Sequence, residues 1–403
     1  MFLINRNFGL LWFGQLVSQL GDKAYNIALM WWLFEKTASP LLVSLFLIAS
    51  MLPELIFGPL AGVYIDRWNK KRILVAADFV RGIVILTLAA LYQLDVLAIW
   101  HIYIAALLIS LCSALFNPTT MSIIPNVVAK SSLQRANALS QMVTGAVAII
   151  GPLLGASSVA MLGYMGVLIF NGGSYIISGF AEIFLRINTM EVVMKETVFS
   201  SLAQGVRYIW SDVRVSVVVV VVAIIHVFVG SIVVVIPFLA NSLAGSGINN
   251  LGVLQAALGG GMTAGAVYVS KYARSYFNGL NFFYAIVFMG VGILMLGIFQ
   301  LVHISLLEIY AICCIIIGVC VAVISVFWRT IAQICVPEEM TGRVFSVLST
   351  TGNISLPISM ALFGAFLNCV TPAILLTFAG ICLIIIGMVL VYNVRTFFAD
   401  LKL

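Results

Sequence analysis

GVYIDRWNKKR, residues 62–72, gathers Asp66, Arg67, Lys70, Lys71 and Arg72 into one short segment of a chain in which only 8% of residues are charged. Long apolar runs flank it on both sides. The chain has 403 residues, 63% of them hydrophobic, and a mean hydropathy of +1.18, whereas soluble domains are about 25% charged. Runs of roughly 20 apolar residues, enough to cross about 30 Å of hydrocarbon as helix, recur from end to end with short polar breaks. The charged segment therefore reads as a loop between two membrane-spanning helices. No stretch remains for a sizeable soluble domain. The expected fold is all-α and integral to a membrane.

About twelve spans are predicted: 8–34, 40–65, 73–94, 99–122, 137–161, 165–186, 214–240, 249–270, 278–300, 304–327, 344–367 and 371–394. The first carries an acid in its middle and lacks a small-residue exit, so it reads as a retained helix and not a cleaved signal peptide. Loops rich in Lys and Arg alternate with loops nearly devoid of them. All the bases except Lys23, Lys36 and Arg81 fall on one side. Since Lys/Arg bias marks the cytoplasmic face, both termini are expected inside, in keeping with an even number of spans. Trp12, Trp31, Trp32, Trp100, Trp210 and Trp328 lie near span ends, as interfacial anchors do.

The segment 187–213 separates an N-terminal six-helix bundle, 1–186, from a C-terminal one, 214–403. Within it SSLAQGVRYIW (200–210) alternates apolar and polar positions at helical spacing, as a helix lying along the inner membrane surface would. The halves echo each other. VYIDRWNK (63–70) aligns with VYVSKYAR (267–274), and Pro152 with Pro357, at nearly equal shifts close to half the chain length. Two duplicated six-helix bundles, pseudo-symmetric about an axis along the membrane normal, are a transporter architecture with substrate held between them.

Several classes are disfavoured. The seven cysteines form no CxxC or Cys/His spacing, so no metal site is expected. The net charge of +6 belongs to the membrane surface, which removes the case for nucleic acid. No Walker lysine motif, HExxH or GxSxG is present, so neither ATP hydrolysis nor a familiar hydrolase is expected, and no cofactor.

The positive-inside rule accounts for Lys70, Lys71 and Arg72. It does not account for Gly62 four residues before Asp66, or for an acid beside Arg67 at a helix exit. A glycine there admits a neighbouring helix, and the acid can cap that helix's positive end. Contacts of this kind can form a conformational latch. The stretch resembles the inner-loop signature of the major facilitator superfamily, roughly GxxxDRxxRK, with Asn69 where that family usually carries glycine. GPLLG (151–155), preceded by Gly145, is similar to the antiporters' glycine-proline motif, here Gly145, Gly151, Pro152 and Gly155. SQLGDKAYNIALMWWLFEKTASPLLV (18–43), ADFVRG (77–82), the ANALSQ pattern ending at Gln141 and QICVPEEMTGRVFS (333–346) together resemble the macrolide-efflux-like, drug:proton antiporter branch.

That resemblance implies a proton-driven exporter of small amphipathic or hydrophobic compounds working by alternating access; the compact loops suit a bacterial inner membrane, and a monomer is expected. Metabolite, siderophore or lipid transport by uniport or import is the alternative within the same fold, and a membrane scaffold lies further off. Proton coupling calls for ionisable groups within the spans. A charge at the bilayer centre costs about 2.5–3.5 kcal/mol on insertion scales, so acids there tend to be functional. Asp22 lies deep in the first span and Glu54 deep in the second, and either can exchange a proton. Asp22 is the first choice, with an ion pair of Glu54 or Asp22 to Lys23 as the structural alternative. Asp78 and Arg81, three apart, share one face of the third span and suit a structural pair or part of the latch. Glu182 and Arg186, four apart, suggest a similar pair. His226 can titrate near neutral pH, although a lone histidine in an apolar span more often packs.

Overall fold

The computed structural model describes residues 4–65, 68–129, 132–185, 198–276, 279–336 and 338–392. They form helices and short connections, with no strand among the described residues. In chain order the helices are α1 (Arg6–Thr37), α2 (Pro40–Ala49), α3 (Leu52–Ile65), α4 (Lys70–Gln93), α5 (Ile99–Val127), α6 (Leu133–Ile183), α7 (Val198–Ser211), α8 (Val213–Ser242), α9 (Gly247–Tyr276), α10 (Gly279–Leu301), α11 (Leu307–Cys335), α12 (Glu338–Phe366) and α13 (Pro372–Tyr392).

The expected spans lie within these helices to within a few residues, with two departures. The second span is not continuous. It breaks at a turn over Ser50 and Met51, and α3 restarts at Leu52 with Pro53 in its first turn, where proline's missing N–H costs nothing. Glu54 thus stands at a helix start and not inside an unbroken span. The fifth and sixth spans form one helical run, α6, whose 51 residues would extend about 76 Å at 1.5 Å per residue. Its backbone departs from helix at Gly163, with φ 66° and ψ 179°.

Contacts with α1 show what happens there. Trp12 donates from Nε1 to the Leu139 carbonyl at 3.0 Å, Lys23 lies over Gly151, and Ala24 and Ile27 meet Gly155. Both sequences advance together, so the first half of α6 runs parallel to α1. Beyond Gly163 the order reverses: Gly21 meets Asn171 and Ser174, and Gly14 meets Ser178. Hence α6 is a hairpin that folds back at Gly163 and clasps α1 between its arms.

Local chemistry sets the helix ends. Asn5 caps α1 by accepting the Phe8 N–H at 2.8 Å, and Ala38 ends it in the left-handed region, φ 47°. Asn69, the departure from the family's glycine, caps α4 by accepting the Arg72 N–H at 3.2 Å.

Chain contacts divide the protein into one unit of Met1–Ala38 with Leu45–Lys195 and another of Ser39–Ser44 with Glu196–Leu403. In the first unit α4 packs on α6 and α5, and α3 on α5. An apolar layer at the end carrying Arg6 and Lys70 joins Phe8, Leu11, Leu74, Ala77, Phe116, Ile123 and Leu185. A smaller one toward the far end joins Ala24, Ala28 and Val167. In the second unit α8 packs on α12, α9 on α11 and α10 on α13. Gly261 and Gly318 leave α9 and α11 in backbone contact, as small residues do where apolar helices meet in lipid. Helix α7 is amphipathic, with Ile209 buried and Trp210 exposed.

Among the described residues, nine helical runs are long and apolar enough to cross a membrane, with α6 counted once and Pro40–Gly58, which joins α2 to the first half of α3, counted as one. Helix α1 is not one of them, because Gln15, Ser18, Gln19, Asp22, Lys23 and Asn26 dilute it.

Candidate functional site

Between the two apolar layers of the first unit lies a cluster of charged side chains. Asp78 and Arg81 project from one face of α4 toward α6, and both are buried. Arg81 donates from Nη2 to Asp78 Oδ1 at 2.5 Å and from Nη1 to the Tyr175 hydroxyl at 3.5 Å. The Tyr175 hydroxyl in turn donates to Asp22 Oδ1. Tyr175 therefore bridges the arginine of α4 to the acid of α1, and it has no exposed surface at all. The guanidinium also lies 4.1 Å from the centre of the Phe116 ring and 4.5 Å from that of Tyr175. A cation stacked between two rings in a dry site is held more firmly than one in water.

The approach of α6 follows from its sequence. Asn171, Ser174, Tyr175, Ser178 and Glu182 are all buried, and their spacing of i, i+3, i+4, i+7 and i+11 puts them on one helix face. Gly14 and Gly21 of α1 let this polar stripe come close. Glu182 sits at its end, charge-coupled to Asp78 and Arg81. Among the described residues, Glu182 Oε2 and Asp78 Oδ2 are both buried without a hydrogen-bond partner. Arg186 lies outside the described residues, so its pairing with Glu182 is not in view.

Lys23 does not pair with Asp22 or Glu54. Its side chain is exposed, and its stem crosses Gly151, where a Cβ would come within 2.8 Å of Lys23 Cβ. At Gly155 a Cβ would come within 2.9 Å of the Ala24 backbone. Two of the motif's glycines thus hold α6 against α1 at the level of Asp22, with Pro152 buried between them. Gly145 has open space around it.

Glu54 stands apart from the cluster. Its Oε1 accepts from Asn117 Nδ2 at 2.6 Å, and its N–H donates to Ser110 Oγ at 3.1 Å. An acid in the first turn of α3 also suits the helix dipole. Of the loop residues, Gly62 falls in the last turn of α3, and Asp66 and Arg67 lie outside the described residues. Lys70 is buried and reaches the Ser122 carbonyl at 3.5 Å, Lys71 is half-buried, and Arg72 is exposed. His226 is in the other unit, with Nδ1 2.8 Å from the Val222 carbonyl and its ring against Gly352.

Sequence reasoning missed Tyr175. The only available signal was the run of polar residues at helical spacing within an apolar span. It also missed an apolar-framed clamp at the far end of α1, where Glu35 accepts from Trp31 Nε1 at 2.8 Å and from the Tyr164 hydroxyl at 2.5 Å.

A bundle of spanning helices with a charge cluster enclosed in one unit is an arrangement that suits a membrane transporter. The profile of the family described as transmembrane secretion effector matches residues 2–401, and the chain belongs to this family within the major facilitator superfamily. The chain is 23% identical over 392 residues to the uncharacterized MFS-type transporter YfiS of Bacillus subtilis, covering 93% of this chain and 90% of that protein. It is 22% identical over 364 residues to macrolide efflux protein A of Streptococcus pyogenes, covering 89% of each. The crystal structure of the nucleoside transporter NupG superposes with a TM-score of 0.76 at 10% identity, covering 97% of this chain and 98% of that one. At such identity the likeness concerns the fold.

Proposed function

We propose that the protein is a proton-coupled exporter of small amphipathic or hydrophobic compounds, working by alternating access as a monomer in a bacterial inner membrane. The basic loops and both termini face the cytoplasm, and residues 1–186 and 214–403 form the two moving bundles joined by 187–213. One observation carries this reading: an acid of α1, Asp22, is tied through Tyr175 to the buried Arg81–Asp78 pair. The similarity to a macrolide efflux protein supports export and the class of substrate.

The arrangement gives a proton something to do. Ionised, Asp22 draws the Tyr175 hydroxyl, whose oxygen accepts from Arg81, so α1, α4 and α6 are bound through one chain of hydrogen bonds. A proton on Asp22 discharges the acceptor and weakens that chain. Hydrogen bonds to charged groups contribute about 1.5–3 kcal/mol, and about 1.4 kcal/mol is tenfold in an equilibrium constant. A neutral carboxyl still accepts at about 0.5–1.5 kcal/mol, so loading Asp22 shifts a two-state balance by about 1–1.5 kcal/mol, or about one decade. Glu54, satisfied by Asn117 and Ser110, serves to hold the break between α2 and α3 against α5.

The test is flux of a radiolabelled macrolide and of ethidium in proteoliposomes with an imposed pH gradient. Wild type and Glu54→Gln are expected to drive uphill export, whereas Asp22→Asn supports only downhill movement. Flux in the wild type that ignores the gradient removes proton coupling and favours uniport. Uphill export retained in Asp22→Asn removes Asp22 from the mechanism.

A further inference from the structure

Charge bookkeeping within the first unit leaves a residue unexplained. Around Arg81 stand three carboxyls, those of Asp22, Asp78 and Glu182, and the guanidinium bonds only Asp78 directly. The other groups facing the site from neighbouring helices are Tyr175 of α6 and Cys112 of α5. Lys23 bears on Asp22 from an exposed position, its stem lying over Gly151. Glu182 is 4% exposed, and among the described residues one of its oxygens lacks a hydrogen-bond partner. Asp78, fully buried, bears on Ser178 and Arg81, and among the described residues its Oδ2 is in the same condition. The backbone puts the two acids together: a Cβ at Gly179 would lie 3.4 Å from Asp78 Cβ, and Glu182 is three residues on, on the same helix face.

Two buried carboxylates cannot share one cation and both stay ionised at low dielectric cost, so a single proton between them is the stable state. That proton also gives a partnerless oxygen a hydrogen to donate. We propose that Asp78 and Glu182 form a second proton-binding site in the first unit, holding one proton between them beside Arg81 and exchanging it with the end of the bundle that carries Arg6. A groove of about 590 Å³ between α1 and α6, running from Asn5 and Arg6 past Gly14 to Ser178 and Ala181, ends one helical turn from Glu182, which together with Asp78 stays outside its lining. The site adds a second carrier to the one at Asp22. It rests on the proton-coupled reading for its use in transport, although its existence does not.

Infrared spectroscopy of purified full-length protein in lipid nanodiscs tests it without substrate or gradient. The probe is the C=O stretch of a protonated carboxyl in the Asp22→Asn background, which removes the first carrier. A band is expected in neutral buffer, lost when the buffer is made alkaline, and absent after adding Glu182→Gln, because Asp78 then keeps Arg81 to itself. Adding Asp78→Asn instead also abolishes the band, since Glu182 inherits the cation, and this variant decides the matter if the first fails to fold. A band that survives either substitution overturns the proposal, as does one that alkaline buffer leaves unchanged. Failure here leaves coupling through Asp22 intact, and failure of the flux experiment leaves this site intact.

Discussion

Replacing Tyr175 by phenylalanine removes one oxygen from the centre of the cluster and little else. The ring stays, and with it the 4.5 Å stacking of the Arg81 guanidinium. The hydroxyl donates to Asp22 and accepts from Arg81 at 3.5 Å; the second contact is long, so the first decides the magnitude. No water can take the oxygen's place, because Tyr175 has 0% exposed surface. A hydrogen bond to an ionised partner contributes about 1.5–3 kcal/mol, and one between neutral partners about 0.5–1.5 kcal/mol. Tyr175→Phe is therefore expected to destabilise the protein by about 1.5–3 kcal/mol. In the Asp22→Asn background the same change should cost only about 0.5–1.5 kcal/mol, leaving a coupling of about 1 kcal/mol. Equilibrium unfolding in mixed micelles, followed by tryptophan fluorescence, measures all four corners of the cycle. Additivity of the two substitutions within about 0.3–0.5 kcal/mol would refute the bridge between α1 and α4.

Two further expectations follow from the same geometry. Arg81→Met strips Asp78 of its cation and should cost about 3–5 kcal/mol, as removal of one member of a buried pair does; Arg81→Lys restores the charge but not the stacking on Phe116, so it recovers only part, and size-exclusion chromatography of each variant reads the folded fraction. Gly155→Leu forces α6 off the Ala24 backbone, overpacking that costs about 1–3 kcal/mol, whereas Gly145→Leu enters open space and should leave the thermal unfolding midpoint close to wild type.

Length and apolarity made the spans legible, since a run of some twenty apolar residues has few other fates. The i, i+3 spacing of Asp78 and Arg81 correctly put them on one face, and GPLLG marked the helix that closes on α1. The break at Ser50–Met51 was hidden because the run from Leu41 to Phe57 is apolar almost throughout, and hydropathy does not register a turn. Pro53 was the signal. Glu182 was legible only in part: its helix face, shared with Tyr175 and Gly179, turns to α4, while Arg186, four residues on, lies outside the described residues. Tyr175 itself could not be singled out, because a tyrosine in an apolar span is as often an anchor or a packing residue. Its role depends on where α1 and α4 pass, a relation between segments some 90 to 150 residues apart in the chain that only tertiary packing creates.

The clasp of the α6 hairpin around α1 bears on how the protein is made. The helix least suited to lipid leaves the ribosome before α6, and the two arms that enclose its polar face begin more than a hundred residues after Asp22. Until then Asp22 and Lys23 must be sheltered by the insertion machinery or by lipid headgroups, at a cost of the order of 2.5–3.5 kcal/mol per charge left at mid-membrane. A nascent chain arrested before α6 should accordingly keep α1 susceptible to extraction and proteolysis, and completion of the hairpin should lock it in place. Biogenesis of the first unit thus ends where it began, on its opening helix.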